Sequence, residues 1–288
     1  MSSSQDAMFT GIQYNDQTVM GLRRFNAPFT YQDELVDEAR IVHVFKGQSA
    51  LICAGEAFSL KAGDTLLMKS DNFINRWLED ARGNSVEFVG VRLTQSFIQQ
   101  LYQASLPNMI GTNQAKEGLE ASSAVVLPDS KLLSSYFTLL KAYILQSNLM
   151  TNKLVDLKVQ ELIELIISTD RSGRVLALLN QLFIPSQPAL QKVVNAHLYT
   201  PLKVDEMAFL CHMSASTFNR RFKQVYGTSA NKYLIGKRLE KARQLIKLTD
   251  KSVTSIAIEC GFEELSYFSR AFKQQYQVTP SQLRKHTG

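Results

Sequence analysis

Long apolar runs are missing from this chain of 288 residues. None approaches the roughly 20 residues needed to cross a bilayer, so no membrane span is expected. Glycine and proline are scarce, at 14 and 7 residues, and hydrophobic residues reach 45% against 20% charged ones. That balance excludes a collagenous, low-complexity or disordered chain. Cysteine is scarcer still. Cys53, Cys211 and Cys260 are far apart and odd in number. They exclude a disulfide framework and a zinc-binding spacing, and they fit free thiols in a reducing cytosol. The start, Met1-Ser2-Ser3-Ser4-Gln5-Asp6, has neither the basic nor the apolar stretch of a secretory signal. A cytoplasmic location is therefore expected.

What is present is length for two domains and an uneven charge. The whole chain carries +6. Residues 1–184 hold 16 Lys and Arg against 19 Asp and Glu, whereas residues 185–288 hold 16 against 7. A near-neutral body joined to a basic tail points the tail toward a polyanion, although many lysines on a solvated surface would give the same count. Pro185-Ser186-Gln187-Pro188 marks the boundary, since two prolines around a polar pair suit a linker or a helix break.

Residues from about 25 to 95 read as strands. Ile41-Val42-His43-Val44-Phe45 is apolar and β-branched, and Lys46-Gly47 turns the chain. Leu51-Ile52-Cys53 and Phe58-Ser59-Leu60 follow, then the turn Lys61-Ala62-Gly63-Asp64. Thr65-Leu66-Leu67-Met68 and Val86–Val91 complete the set. Short strands with Gly and Asp between them predict a small antiparallel barrel or sandwich. After about residue 94 the period turns helical. Phe97, Leu101 and Tyr102 share a face. Leu132, Leu133, Tyr136, Phe137, Leu140, Ile144 and Leu145 form a second stripe, and Leu154, Leu157, Leu162, Leu165 and Ile166 a third. Such stripes are core or a subunit contact.

The basic half contains an internal repeat. Phe218-Asn219-Arg220-Arg221-Phe222-Lys223-Gln224-Val225-Tyr226 returns 50 residues later as Phe268-Ser269-Arg270-Ala271-Phe272-Lys273-Gln274-Gln275-Tyr276. Upstream, Val204, Ala208 and Cys211 return 49 residues later as Val253, Ala257 and Cys260, so the second copy has one extra residue in its turn. Each copy reads as helix, tight turn, basic helix. Asp205 and Glu206 favour the first helix's N-terminus, Ser214 can cap the second helix, and Gly261 suits a turn with φ > 0. This is a helix-turn-helix pattern.

At about 100° per residue, Phe218, Phe222 and Val225 fall on one inward stripe. Ser216, Asn219, Arg220 and Lys223 fall on an outward polar face. In the second copy Phe268, Phe272 and Gln275 take the inward places, and Ser266, Ser269, Arg270 and Lys273 the outward ones. A helix that reads bases needs these types: Arg binds guanine bidentately, Asn pairs with adenine, and Lys and Ser hold phosphates. The competing reading is that Arg220 and Arg270 make internal ion pairs and the lysines are merely solvated. Between the copies, Ser229–Leu248 has apolar residues at helical spacing with Lys237, Arg238, Lys241 and Arg243 interleaved. About 20 residues of helix span roughly 30 Å, close to the roughly 34 Å of one turn of B-DNA.

Residues about 188–286, roughly a third of the chain, resemble the AraC/XylS family of bacterial transcription regulators. The resemblance rests on Met213–Lys223, on Arg238-Leu239-Glu240-Lys241-Ala242-Arg243-Gln244-Leu245-Ile246, and on Ser255–Lys273 followed by Val278-Thr279-Pro280-Ser281. Ala230 stands where the family usually has Pro, and Gln277 where it usually has Gly. The resemblance implies an α+β chain: a cupin-like β-barrel with flanking helices over 1–184, used for sensing or dimerisation, and an all-α domain over 185–288 of two helix-turn-helix units joined by a linker helix. It implies an activator bound to double-stranded promoter DNA, with RNA polymerase as a partner and a homodimer as a possible form. Control would come from a small-molecule effector or from a regulatory protein.

The rival classes are weaker. A catalytic cupin needs clustered metal ligands. The four histidines are His43, His197, His212 and His286, and only His43 lies in the strand-rich region. No nucleophile elbow, phosphate-cradling glycine loop or reactive Pro-Cys-His is present. No enzyme, cofactor or metal is expected. An architectural binder without sequence preference is opposed by the outward Asn219 and Arg220.

Overall fold

Alternation of apolar and polar residues over short segments builds the first half of the chain as two facing sheets. The computed structural model describes residues 8–80, 83–102, 122–183 and 188–285. The chain divides into two units, Met1–Ser186 and Gln187–Gly288. Most of the proposed linker, Pro185-Ser186-Gln187, lies outside the described residues, as does His286.

The first unit contains strands β1 (Met8–Tyr14), β2 (Gln17–Asn26), β3 (Phe29–Glu34), β4 (Glu38–Lys46), β5 (Gln48–Ile52), β6 (Ala57–Lys61), β7 (Thr65–Met68), β8 (Asn72–Leu78), β9 (Ser85–Thr94) and β10 (Ala124–Leu127). Its helices are α1 (Gln95–Leu101), α2 (Lys131–Leu145), α3 (Asn152–Thr169) and α4 (Arg174–Leu179). One sheet runs β1-β2-β9-β4-β7-β10 and the other β3-β8-β5-β6, and the paired strands are antiparallel. The turns expected at Gly47 and Gly63 are there, with φ of 95° and 94°. The strand region starts earlier than expected, at Met8: β1, most of β2 and β10 lie outside the expected range of about 25–95, and β3 and β8 lie within it on segments not singled out. Strand β10 also interrupts the segment expected to be helical throughout.

Strand β4 shows how the period of two sorts the side chains. Ala39 and Ile41 join a core with β2, β9 and helices α1 to α4. Val42 and Val44 join the clusters between the sheets. Helices α2, α3 and α4 therefore cover one sheet, and Val175, Leu178 and Leu179 of α4 are buried in that core. The expected stripes need correction. Leu132, Leu145 and Leu157 are exposed at 55%, 49% and 53%. The buried residues of α3 are Val155, Val159, Leu162, Ile163 and Ile166. Leu162 and Ile166 of the expected stripe are buried, Leu154 and Leu165 are half-buried, and Leu157 faces outward.

The second unit is helical: α5 (Leu190–His197), α6 (Val204–Leu210), α7 (Ala215–Tyr226), α8 (Ala230–Leu248), α9 (Val253–Glu259), α10 (Leu265–Tyr276) and α11 (Pro280–Lys285). Helix α8 serves two cores. Near its start, the Tyr233 ring lies 5.6 Å from Phe222 and 4.5 Å from Tyr226 of α7. Further on, Leu239, Ala242 and Ile246 pack with Ile256, Ala257, Phe262, Phe268 and Phe272 of the second copy. Cys53, Cys211 and Cys260 are buried and form no disulfide among the described residues. Among the described residues, no helix is long and apolar enough to cross a membrane.

Candidate nucleic-acid interface

The two copies fold alike although matching helices start on different caps. Ser214 Oγ accepts from Thr217 N at 3.3 Å and starts α7. Ser252 Oγ accepts from Ser255 N at 3.1 Å and starts α9. Lys203 N donates to Glu206 Oε2 at 2.9 Å, closing the first turn of α6. The turns need one left-handed residue each: His212 at φ 53° in the first copy and Gly261 at φ 83° in the second. Helices α7 and α10 end the same way, at Gly227 with φ 71° and Gln277 with φ 62°. Gln277 therefore carries a side chain in a conformation that L-residues adopt at a cost.

Inward, each second helix is anchored by aromatics one turn apart. Phe218 and Phe222 are 5.8 Å apart between ring centroids, and Phe268 and Phe272 are 5.6 Å apart. All four are fully buried. Tyr226 and Tyr276 complete the stripes. Val225, expected on the stripe, is 48% exposed, and Gln275 is exposed as well. The stripe follows i, i+4, i+8, and position i+7 lies past the edge of what α8 covers.

Outward, Ser216, Asn219, Arg220 and Lys223 are exposed on α7. Ser266, Arg270 and Lys273 are exposed on α10, while Ser269 is half-buried. Arg220 and Arg270 form no ion pair or hydrogen bond with a described residue. Asn219 is engaged at home: its Nδ2 donates to Ala215 O at 3.0 Å. Ser216 Oγ lies 3.1 Å from Ser214 Oγ. Meeting a base would require Asn219 to leave that backbone carbonyl.

The basic residues of α8 behave differently, which their charge did not reveal. Lys237 pairs with Glu240 at 2.8 Å. Lys241 Nζ lies 4.2 Å over the Tyr199 ring, and Arg243 lies 4.9 Å over Tyr276. Arg238 Nε donates to Leu198 O at 2.8 Å and Nη2 to Thr200 O at 2.6 Å. Arg238, Lys241 and Arg243 of α8 thus reach other parts of the domain, whereas Arg220, Lys223, Arg270 and Lys273 of α7 and α10 are exposed.

The first unit has a cavity of about 420 Å³ between its sheets. Gly90 opens it: a Cβ added there would meet nothing within 4 Å. Its polar lining includes Arg40, which binds Asp33 at 2.7 Å and Glu38 at 2.5 Å, and Arg92, which binds Glu38. Burial pushes the Tyr31 hydroxyl up to about 12, and the neighbouring Asp33 carboxylate adds to that.

Two family models match this chain. The helix-turn-helix domain model matches residues 207–286, and the ExsA N-terminal regulatory domain model matches residues 39–178. The matched helix-turn-helix domain is of the AraC/XylS type. Among its relatives is the HTH-type transcriptional regulator ExsA of Pseudomonas aeruginosa, 24% identical over 264 residues, or 91% of each chain. The thermoregulatory protein LcrF of Yersinia pestis is 25% identical over 84% of this chain and 87% of its own. A solved structure of ToxT from Vibrio cholerae, with an unsaturated fatty acid bound, aligns over 98% of this chain and 96% of its own, at 14% identity and a TM-score of 0.38. Like its AraC-type relatives, this chain is a DNA-binding transcription regulator of bacterial type.

Proposed function

We propose that the chain is a sequence-specific activator that reads two successive major grooves of promoter DNA with α7 and α10. Arg220 and Arg270 read bases, Asn219 and Ser269 stand beside them, and Ser216, Lys223, Ser266 and Lys273 hold the backbone. One observation carries this. The same outward face occurs on both helices, and its arginines form no ion pair or hydrogen bond with a described residue. The 19 residues of α8 give about 28 Å of helix between the copies, near one turn of B-DNA. Affinity for a duplex selected from random sequence, against random duplex at one fixed salt concentration, tests the reading. A preference of about 10³ or more supports it. Equal, steeply salt-dependent binding to both would mean that phosphate contacts are all there is.

The finer reading is control by a small molecule held between the sheets of residues 1–184. A volume of about 420 Å³ lies within the roughly 300–1,000 Å³ range of ligand sites. Mass analysis of the purified chain tests this. A co-purifying small molecule supports it, and a stoichiometric protein instead supports control by a partner.

A further inference from the structure

The second unit holds a junction that the two-groove reading does not use. The Arg238 guanidinium, half-way along α8, reaches both copies at once. Nε and Nη2 donate to Leu198 O and Thr200 O, in the loop that leads into α6 of the first copy. Nη1 donates to Gly261 O at 3.2 Å, in the turn of the second copy. One turn along α8, Lys241 lies over the ring of Tyr199 in that same loop.

Gly261 explains why the copies differ at their turns. A Cβ at Gly261 would lie 2.8 Å from Tyr199 O and 3.0 Å from Thr200 O. The second turn is pressed directly against the first copy's loop, so a side chain has no room there. His212, at the matching place in the first copy, is exposed and keeps its side chain at φ 53°. The glycine thus serves close approach as well as backbone freedom.

We propose that Arg238, with Lys241 and Gly261, is a clasp that fixes the separation and rotation between α7 and α10, and so sets the half-site spacing the protein accepts. This rests on the two-groove reading. Arg238 is a positioning residue, and no DNA contact is assigned to it. The planar fork suits the task because its donors are rigidly related. Lysine, with its donors on one ammonium, cannot hold carbonyls of both copies in one plane. Adding a base pair between half-sites turns one by about 35° relative to the other. A clasped pair cannot follow that turn, and a loosened pair can.

The test uses the full chain and a duplex recovered by selection from random sequence. Single base pairs are inserted or deleted between its half-sites. The unaltered protein should lose about tenfold or more in affinity per base pair, the scale of a mismatched contact. Arg238→Gln should bind the parent spacing more weakly, yet its penalty per inserted base pair should fall to about threefold or less. Arg238→Lys should behave like Arg238→Gln, not like the parent. Circular dichroism and the melting temperature check folding. Should the Arg238 variants not fold, Lys241→Met is scored in the same way, with a smaller flattening expected. A folded variant with the parent's spacing penalty overturns the clasp, because a merely stabilising residue lowers affinity at every spacing alike. An unaltered protein with no spacing preference at all overturns the two-groove reading itself.

Discussion

His43 shows what one residue contributes when its surroundings are apolar. Its ring stacks on Phe137 at 4.5 Å, and its Nδ1 lies 2.9 Å from Thr65 Oγ1. Burial lowers its pKa from 6.5 to about 4, against a smaller opposing pull from Asp129. The folded chain therefore binds this proton less readily than the unfolded chain does. Stability from this site is complete above about pH 6.5 and falls as the pH drops toward 4, by about 3 kcal/mol when the site is fully protonated. His43→Gln should remove about one proton from the slope of unfolding free energy against pH over that window. Denaturant unfolding of the N-terminal unit measures it, and an unchanged slope would show that His43 does not titrate there. At this scale the sequence was a partial guide. The 50-residue offset made Phe218, Phe222, Phe268 and Phe272 readable as anchors, because only packing explains a repeated aromatic pair. It could not place Val225, since a helical wheel gives an angle and not the extent of the neighbour. It could not show Asn219 bonded to Ala215 O, which depends on a rotamer.

Elements were legible where one physical demand dominated. Strands β4 to β7 and β9 announce themselves because β-branched and apolar residues meet glycine turns. Strand β8 hides: Asn72, Asn75 and Arg76 interrupt it, and Asn75 lines the cavity between the sheets. Strand β3 hides for a related reason. It is an edge strand with Gln32, Asp33 and Glu34 among six residues, and Asp33 pairs with Arg40 in the cavity. Polar residues that face a hollow interior break the alternation by which strands are recognised. The same limit applied to α8. In sequence its basic residues are only interleaved with an apolar stripe, and the fold is what shows Lys241 and Arg238 turned onto the Tyr199 loop. A weak signal existed in the change of repeat offset from 49 to 50, which falls after Gly261.

For the molecule as a whole, the division of charge and of architecture coincide. The near-neutral unit is built of two sheets with covering helices, and the basic unit is a duplicated helix-turn-helix domain whose copies share α8. The central claim is that each copy reads its own groove. Guanine N7 lies in the major groove, so its protection from methylation by the bound full chain tests this most directly. On a selected duplex the account predicts two clusters of protected guanines about one helical turn apart. Arg220→Ala should erase one cluster and leave the other, and Arg270→Ala should do the reverse. A single cluster, or two clusters that both survive each substitution, would contradict it.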